Sequence, residues 1–122
     1  MNKLTELCPD FEEWPKRWMG DDEDLAYGIK LLEVFRPFCE HLVALDESIR
    51  SKKNDLDNIW LLGGEIIRDV SIHEEYETPP IKKLQESVGI HGGVSCRHMK
   101  TTAEEESYNK TCVKLAEFIE AS

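Results

Sequence analysis

Asp22-Glu23-Asp24-Leu25-Ala26-Tyr27-Gly28-Ile29-Lys30-Leu31-Leu32-Glu33-Val34-Phe35-Arg36-Pro37-Phe38-Cys39-Glu40-His41-Leu42-Val43-Ala44-Leu45 is the stretch that decides the fold. Leu25, Ile29, Leu32, Phe35, Cys39 and Leu42 recur at steps of three and four, which lays them along one side of an α-helix. Gly20 and the acidic run 21–24 supply a start signal, because carboxylates are favoured near a helix N-terminus. At about 1.5 Å per residue the segment would reach roughly 36 Å. Pro37 lies inside it. Proline removes one backbone donor and crowds the carbonyl four residues earlier, so a kink or break is expected near 32–35.

C-terminal to this helix, a polar link at 46–51 offers Ser48 and Ser51 as N-caps. A second long helix is predicted over about 52–70, with Leu56, Ile59, Trp60, Leu62, Gly63, Ile66, Ile67 and Val70 on its apolar side. Gly63-Gly64 costs about 1 kcal/mol per glycine in a helix interior relative to alanine. The apolar stripe keeps phase across the pair, which favours an unbroken helix with a second helix packed too close for a Cβ. Thr78 as N-cap and Pro79 at the first helical position suit a helix over about 79–88 that buries Ile81, Leu84 and Val88 and stops at Gly89. Residues 91–98 read as a loop with a short extended piece at most. A last helix opens on a capping box at Thr102-Ala103-Glu104-Glu105 and presents Tyr108, Cys112, Leu115 and Ile119, with Phe118 beside them.

N-terminal to the first long helix, residues 1–20 carry Pro9 and Pro15 among Phe11, Trp14 and Trp18. They read as a short, broken helical arm held on a helical body at 21–122 by its aromatic side chains. The arm either caps the core or offers Trp14 and Trp18 to a partner. No alternating β pattern of useful length is present. The fold class is therefore all-α, a single-domain bundle of four or five helices.

The chain has 122 residues, 40% of them hydrophobic and 33% charged, enough for one core. No run of 18 apolar residues occurs, so no membrane helix is expected. The opening residues lack the apolar stretch of a secretory signal, so a cytoplasmic setting with free thiols is expected for Cys8, Cys39, Cys96 and Cys112. Cys39 and Cys112 fall on apolar stripes and read as small core residues.

Fifteen basic residues face 25 acidic ones, for a formal charge of −10. Such a field repels phosphate, whereas a free-standing nucleic-acid binder shows a basic face. The acids form three blocks, at 21–24, 74–77 and 104–106, two of them at predicted helix starts. A continuous stripe of these blocks would suit a decoy that imitates DNA.

Constellations for chemistry are sparse. His91, Cys96 and His98, with His73 and Cys112 further away, are zinc-ligand types, but no CxxC or HxxxH pair sets two ligands on one turn. No histidine has a glutamate three residues before it, as a carboxylate-bridged metal pair in a bundle requires. No phosphate-binding glycine loop is present, and no nucleophile, base and orienter fall together. The expectation is a protein that is not an enzyme and needs no cofactor.

Residues 28–70 carry a further pattern. Gly28-Ile29-Lys30-Leu31-Leu32-Glu33-Val34-Phe35 leads to Phe38 and His41-Leu42; Ser48-Ile49-Arg50-Ser51 then precedes Leu56, Ile59-Trp60, Leu62 and Glu65-Ile66-Ile67. This resembles the SAM-like core-binding domain at the N-terminus of tyrosine recombinases and phage integrases, where a short Leu-Ser-x-x-Thr link joins two helices. Ser48 and Ser51 occupy the Ser and Thr places. The resemblance covers about a third of the chain and implies a helical fold and a DNA clamp, with Arg50, Lys52 and Lys53 as phosphate contacts. The family's catalytic residues lie in a second domain that this chain does not contain, and the family's domain is basic where this chain is acidic.

Two functions follow as expectations. The first is a module that binds another protein or a second copy, through Trp14 and Trp18. The second is an accessory nucleic-acid binder using Arg50, Lys52 and Lys53. A small metal-binding protein built on His91, Cys96 and His98 is the remaining alternative.

Overall fold

The computed structural model describes residues 3–122 and is all-α, with six α-helices among those residues. The arm contains α1 (Lys3–Leu7), a 3-10 turn (Phe11–Glu13) and α2 (Trp14–Trp18). Two long helices follow, α3 (Asp22–Ala44) and α4 (Ile49–His73). They are succeeded by α5 (Pro80–Ser87), a minimal antiparallel ribbon of β1 (Val88–Gly89) and β2 (Gly92–Gly93), and α6 (Thr102–Ala121). The body thus has four helices. No helix among the described residues is long and apolar enough to cross a membrane.

The starts of the long helices follow from side-chain capping. The Asp21 carboxylate accepts from the Asp24 N–H at 3.0 Å, and the Ser48 hydroxyl accepts from the Ser51 N–H at 3.1 Å. The second helix therefore begins at Ile49, three residues earlier than its apolar stripe suggests, and Arg50, Lys52 and Lys53 lie on its first turns. α6 is capped by Thr101, one residue before the expected position: its hydroxyl accepts from Glu104 N–H, and it also donates to the Glu104 carboxylate. α5 begins at Pro80 with Pro79 as its N-cap, so Thr78 is not the cap. The Thr78 carbonyl instead accepts from the Tyr27 hydroxyl at 2.7 Å.

α3 runs through Pro37 without a break. Its buried side is Tyr27, Gly28, Leu31, Leu32, Phe35, Phe38, Cys39, Leu42 and Val43, so the inward face is rotated from the expected stripe. Ile29 is exposed and Leu25 only half-buried. The reason is that α3 is covered by the arm on one flank and by α4 and α5 on the other, which widens and turns its apolar sector. α5 likewise buries Leu84 but turns Ile81 outward, and the inward place is taken by Lys83.

The arm is part of the core. Leu4, Phe11 and Trp14 are buried together with α3 and α4 residues. Gly63-Gly64 lies inside an unbroken α4, as its stripe predicts. The close neighbour, however, is an indole from the arm and not the backbone of a second long helix: a Cβ on Gly63 would fall 2.2 Å from Trp18 Cζ2. On α3, Gly28 gives the same access, since a Cβ there would meet Pro15 Cβ at 3.2 Å. Two glycines on different helices therefore admit α2. Cys39 and Cys112 are buried, and all four thiols are free.

Candidate functional site

The interior polar groups are mostly committed to holding helices together. Asp55 on α4 accepts from Thr111 Oγ1 at 2.7 Å and from Lys114 Nζ at 3.0 Å on α6, and Asn58 donates to Thr111 at 2.9 Å. Buried Lys83 donates to Asp69 at 2.6 Å and to Glu75 at 3.2 Å. Burial alone would lower the Lys83 pKa. Its hydrogen bonds to the two carboxylates outweigh that and hold it above the ordinary value. Asp69, Glu75 and His73 are the one group of three metal-ligand types close enough to share an ion among the described residues. The Lys83 ammonium already supplies a cation to both of its carboxylates, so this cluster is an ion-pair network.

The expected metal set is not assembled. His91 and His98 are exposed and Cys96 is buried, and the three do not converge. Burial raises the Cys96 thiol and pushes the Cys8 and Cys112 thiols up to about 12. None of these is a ready thiolate at neutral pH. Of the link basics, Lys52 spends its ammonium on the Val43 carbonyl at 2.9 Å, capping the end of α3. Arg50 and Lys53 are exposed, with Asp57 beside them in a shallow, open depression.

The aromatic pair of the arm divides. Trp14 is 2% exposed and packs 4.7 Å from the Phe11 ring and 5.9 Å from that of Trp18, so of the two alternatives for the arm it takes the core-capping one and has no face left for a partner. Trp18 is half-buried. Its indole donates to the Trp60 carbonyl at 3.0 Å and stands edge-on to Phe35 at 6.2 Å. One side of it seals the glycine notch on α4. It also lines a cleft.

That cleft, of about 380 Å³, lies between the end of α2 and the outer side of α4 and is completed by the segment before α6. Trp18, Trp60, Leu61 and Ile72 contribute apolar surface; Arg17, Arg68 and Arg97 contribute positive charge. Three of the chain's five arginines thus line one surface. Arg36 shows what a satisfied guanidinium looks like here, with Glu12 and Glu33 oxygens at 2.6 to 3.0 Å. In the cleft the counter-ions stand off: Arg17 is 3.8 Å from Asp10 and Arg97 is 3.8 Å from Glu65. Arg68 makes no ion pair among the described residues.

Two carboxylates complete the walls. For Asp24, burial would raise the pKa, but hydrogen bonds from the Tyr76 hydroxyl at 2.7 Å and from Gly20 N–H at 2.9 Å outweigh it and hold the carboxyl below its usual range. Asp24 belongs to the first acidic block and Tyr76 to the second, so folding joins the two and draws one acid inward. Glu65 is nearly covered beside Arg97. The Trp60 indole N–H is the one buried side-chain polar atom without a partner among the described residues.

Sequence reading missed this cleft because Arg17, Arg68 and Arg97 are 51 and 29 positions apart and belong to three separate segments. The only available signal was the position of Trp60 and Arg68 eight residues apart on one helix, which places them near one face. A comparison of the chain with protein-family models, curated proteins and solved structures gave no match.

Proposed function

We propose that this chain is a non-enzymatic interaction module that binds another protein through the cleft between α2 and α4. The observation that carries the reading is the gathering of three arginines with loose or absent counter-ions around an apolar surface of two tryptophans, a leucine and an exposed isoleucine. Arginine and tryptophan are the side chains that dominate binding energy at protein interfaces, where a large apolar contact and a planar set of donors act together. The aromatic arm enters this reading through Trp18 alone, since Trp14 is spent inside the core.

The test is site-directed photo-crosslinking. A benzophenone side chain at Ile72, 58% exposed and in the cleft, is expected to trap a defined partner from a native extract. The same group at Ile49, 61% exposed at the start of α4, is the control. A band from position 72 that is absent from position 49 supports the cleft. No band from 72, or the same bands from both, rejects it.

A further inference from the structure

We infer that the segment accepted by this cleft is an acidic, amphipathic peptide of the partner, whose carboxylates engage Arg17, Arg68 and Arg97 and whose apolar side chain lies against Trp18, Trp60 and Ile72. This inference rests on the module reading above and adds the chemistry of the occupant.

Charge carries the choice. The chain holds ten more acids than bases, yet these three guanidiniums are not closely paired. Arg17 and Arg97 keep side-chain exposures of 57% and 59%, so their donors face solvent. A guanidinium offers five N–H groups in a planar fork that matches a carboxylate with two parallel hydrogen bonds. Their spacing around an apolar surface asks for anions interrupted by an apolar group. A peptide that alternates acidic and aromatic or aliphatic residues meets that demand.

A nucleic-acid strand fits less well. Its charges are continuous, one per nucleotide, and it would run against Asp24 and Glu65 in the walls and the 21–24 block at the rim. The whole-chain charge of −10 adds long-range repulsion. An acidic peptide feels the same field, but it needs only a few charges, each placed on an arginine.

A random-peptide display library panned on the intact protein tests the inference. Enriched sequences are expected to combine several Asp or Glu residues with a Phe, Trp, Leu or Ile. A synthetic labelled copy should bind about tenfold more weakly to Arg68→Glu, and more weakly as salt is raised. Arg68 is exposed and its side chain makes no hydrogen bond or ion pair among the described residues, so the variant should fold, and its thermal melt is checked against the parent. Ile72→Ser should weaken the same peptide through the apolar contact. If the enriched peptides are neutral or basic, or Arg68→Glu binds them unchanged while Ile72→Ser weakens them, the acidic occupant is overturned and the module reading stands. If nothing is enriched relative to the Arg68→Glu/Ile72→Ser double variant, both fail. Labelled single-stranded DNA is run in parallel. Binding that Arg68→Glu abolishes would assign the cleft to nucleic acid and overturn the peptide.

Discussion

Trp18 is the residue on which the arm, the two long helices and the cleft meet. Its ring lies where a Gly63 Cβ would be, and its N–H holds a carbonyl on the same helix turn. Gly63→Ala should therefore destabilise the fold by about 1–3 kcal/mol through overpacking, even though alanine is the better helix former. Gly64→Ala places its Cβ 3.5 Å from the same indole, an ordinary contact, and should be neutral or stabilising by up to about 1 kcal/mol. Urea unfolding of the two variants separates packing from propensity, and adding Trp18→Leu to Gly63→Ala should recover part of the loss. The thiols give a second prediction at this scale. With Cys8 and Cys112 pushed up to about 12, and burial raising Cys39 and Cys96 as well, a disulfide reagent at neutral pH should modify the native protein far more slowly than the urea-unfolded chain. Rapid native labelling of Cys39, Cys96 or Cys112, the three buried thiols, would contradict the burial described here. The glycine pair was legible as a close-contact site. The identity of the neighbour was not, because Trp18 is 45 positions away and no local pattern ties the two.

Helix ends show where local chemistry suffices and where it does not. The Ser48 and Thr101 caps satisfy backbone donors with side chains three residues away, and the sequence signal came within one residue of both. The end of α4 carries no such signal. Glu74 takes the left-handed conformation (φ 53°) that closes the helix, a place usually held by glycine or asparagine. Its N–H reaches the Ser71 and Val70 carbonyls. Glu74→Gly should stabilise the protein by up to about 1 kcal/mol, because glycine adopts this backbone without a Cβ penalty. Thermal denaturation measures it, and a lower Tm would mean that the Glu74 side chain contributes more than its backbone strain costs. The stripes on α3 and α5 were misread for a related reason. A 3.6-residue period locates an apolar face, but α3 has neighbours on more than one side, and Tyr27, Gly28, Leu31 and Phe38 face those neighbours while Ile29 faces water.

For the molecule as a whole, acidity is the dominant property and acid is the predicted weakness. Hydrogen bonds hold the Asp24 and Asp69 carboxyls below their ordinary values, Asp24 against its burial and Asp69 chiefly through Lys83. Glu33 is held down by Arg36 in the same way. A carboxyl depressed in the folded state stabilises the fold fully above its unfolded pKa of about 4, and that contribution disappears as pH falls through the lower folded value. Thermal melts should be level near neutrality and drop steeply below about pH 4. Asp69→Asn should flatten part of that drop, and an unchanged profile would remove the Lys83 network from the account. Asp24 and Asp69 sit on the α3–α4–α5 side, where the first two acidic blocks are joined through Tyr76 and Asp24, whereas Glu33 shares Arg36 with Glu12 of the arm. The blocks are thus partly structural and not simply a solvated stripe.

Several properties could be read from residue order alone. Apolar spacing dictated the two long helices and the last one, the link serines Ser48 and Ser51 narrowed the start of α4 to two places, and the count of acids dictated the field around the molecule. These are consequences of interactions within a few residues or of a plain sum. The burial of Trp14, the seating of Trp18 in the Gly28 and Gly63 notches, the inward turn of Lys83 and the convergence of Arg17, Arg68 and Arg97 were decided only by tertiary packing. Each depends on which helix lies next to which, and that is set by the shape of the whole core once the entropy of long loops has been overcome.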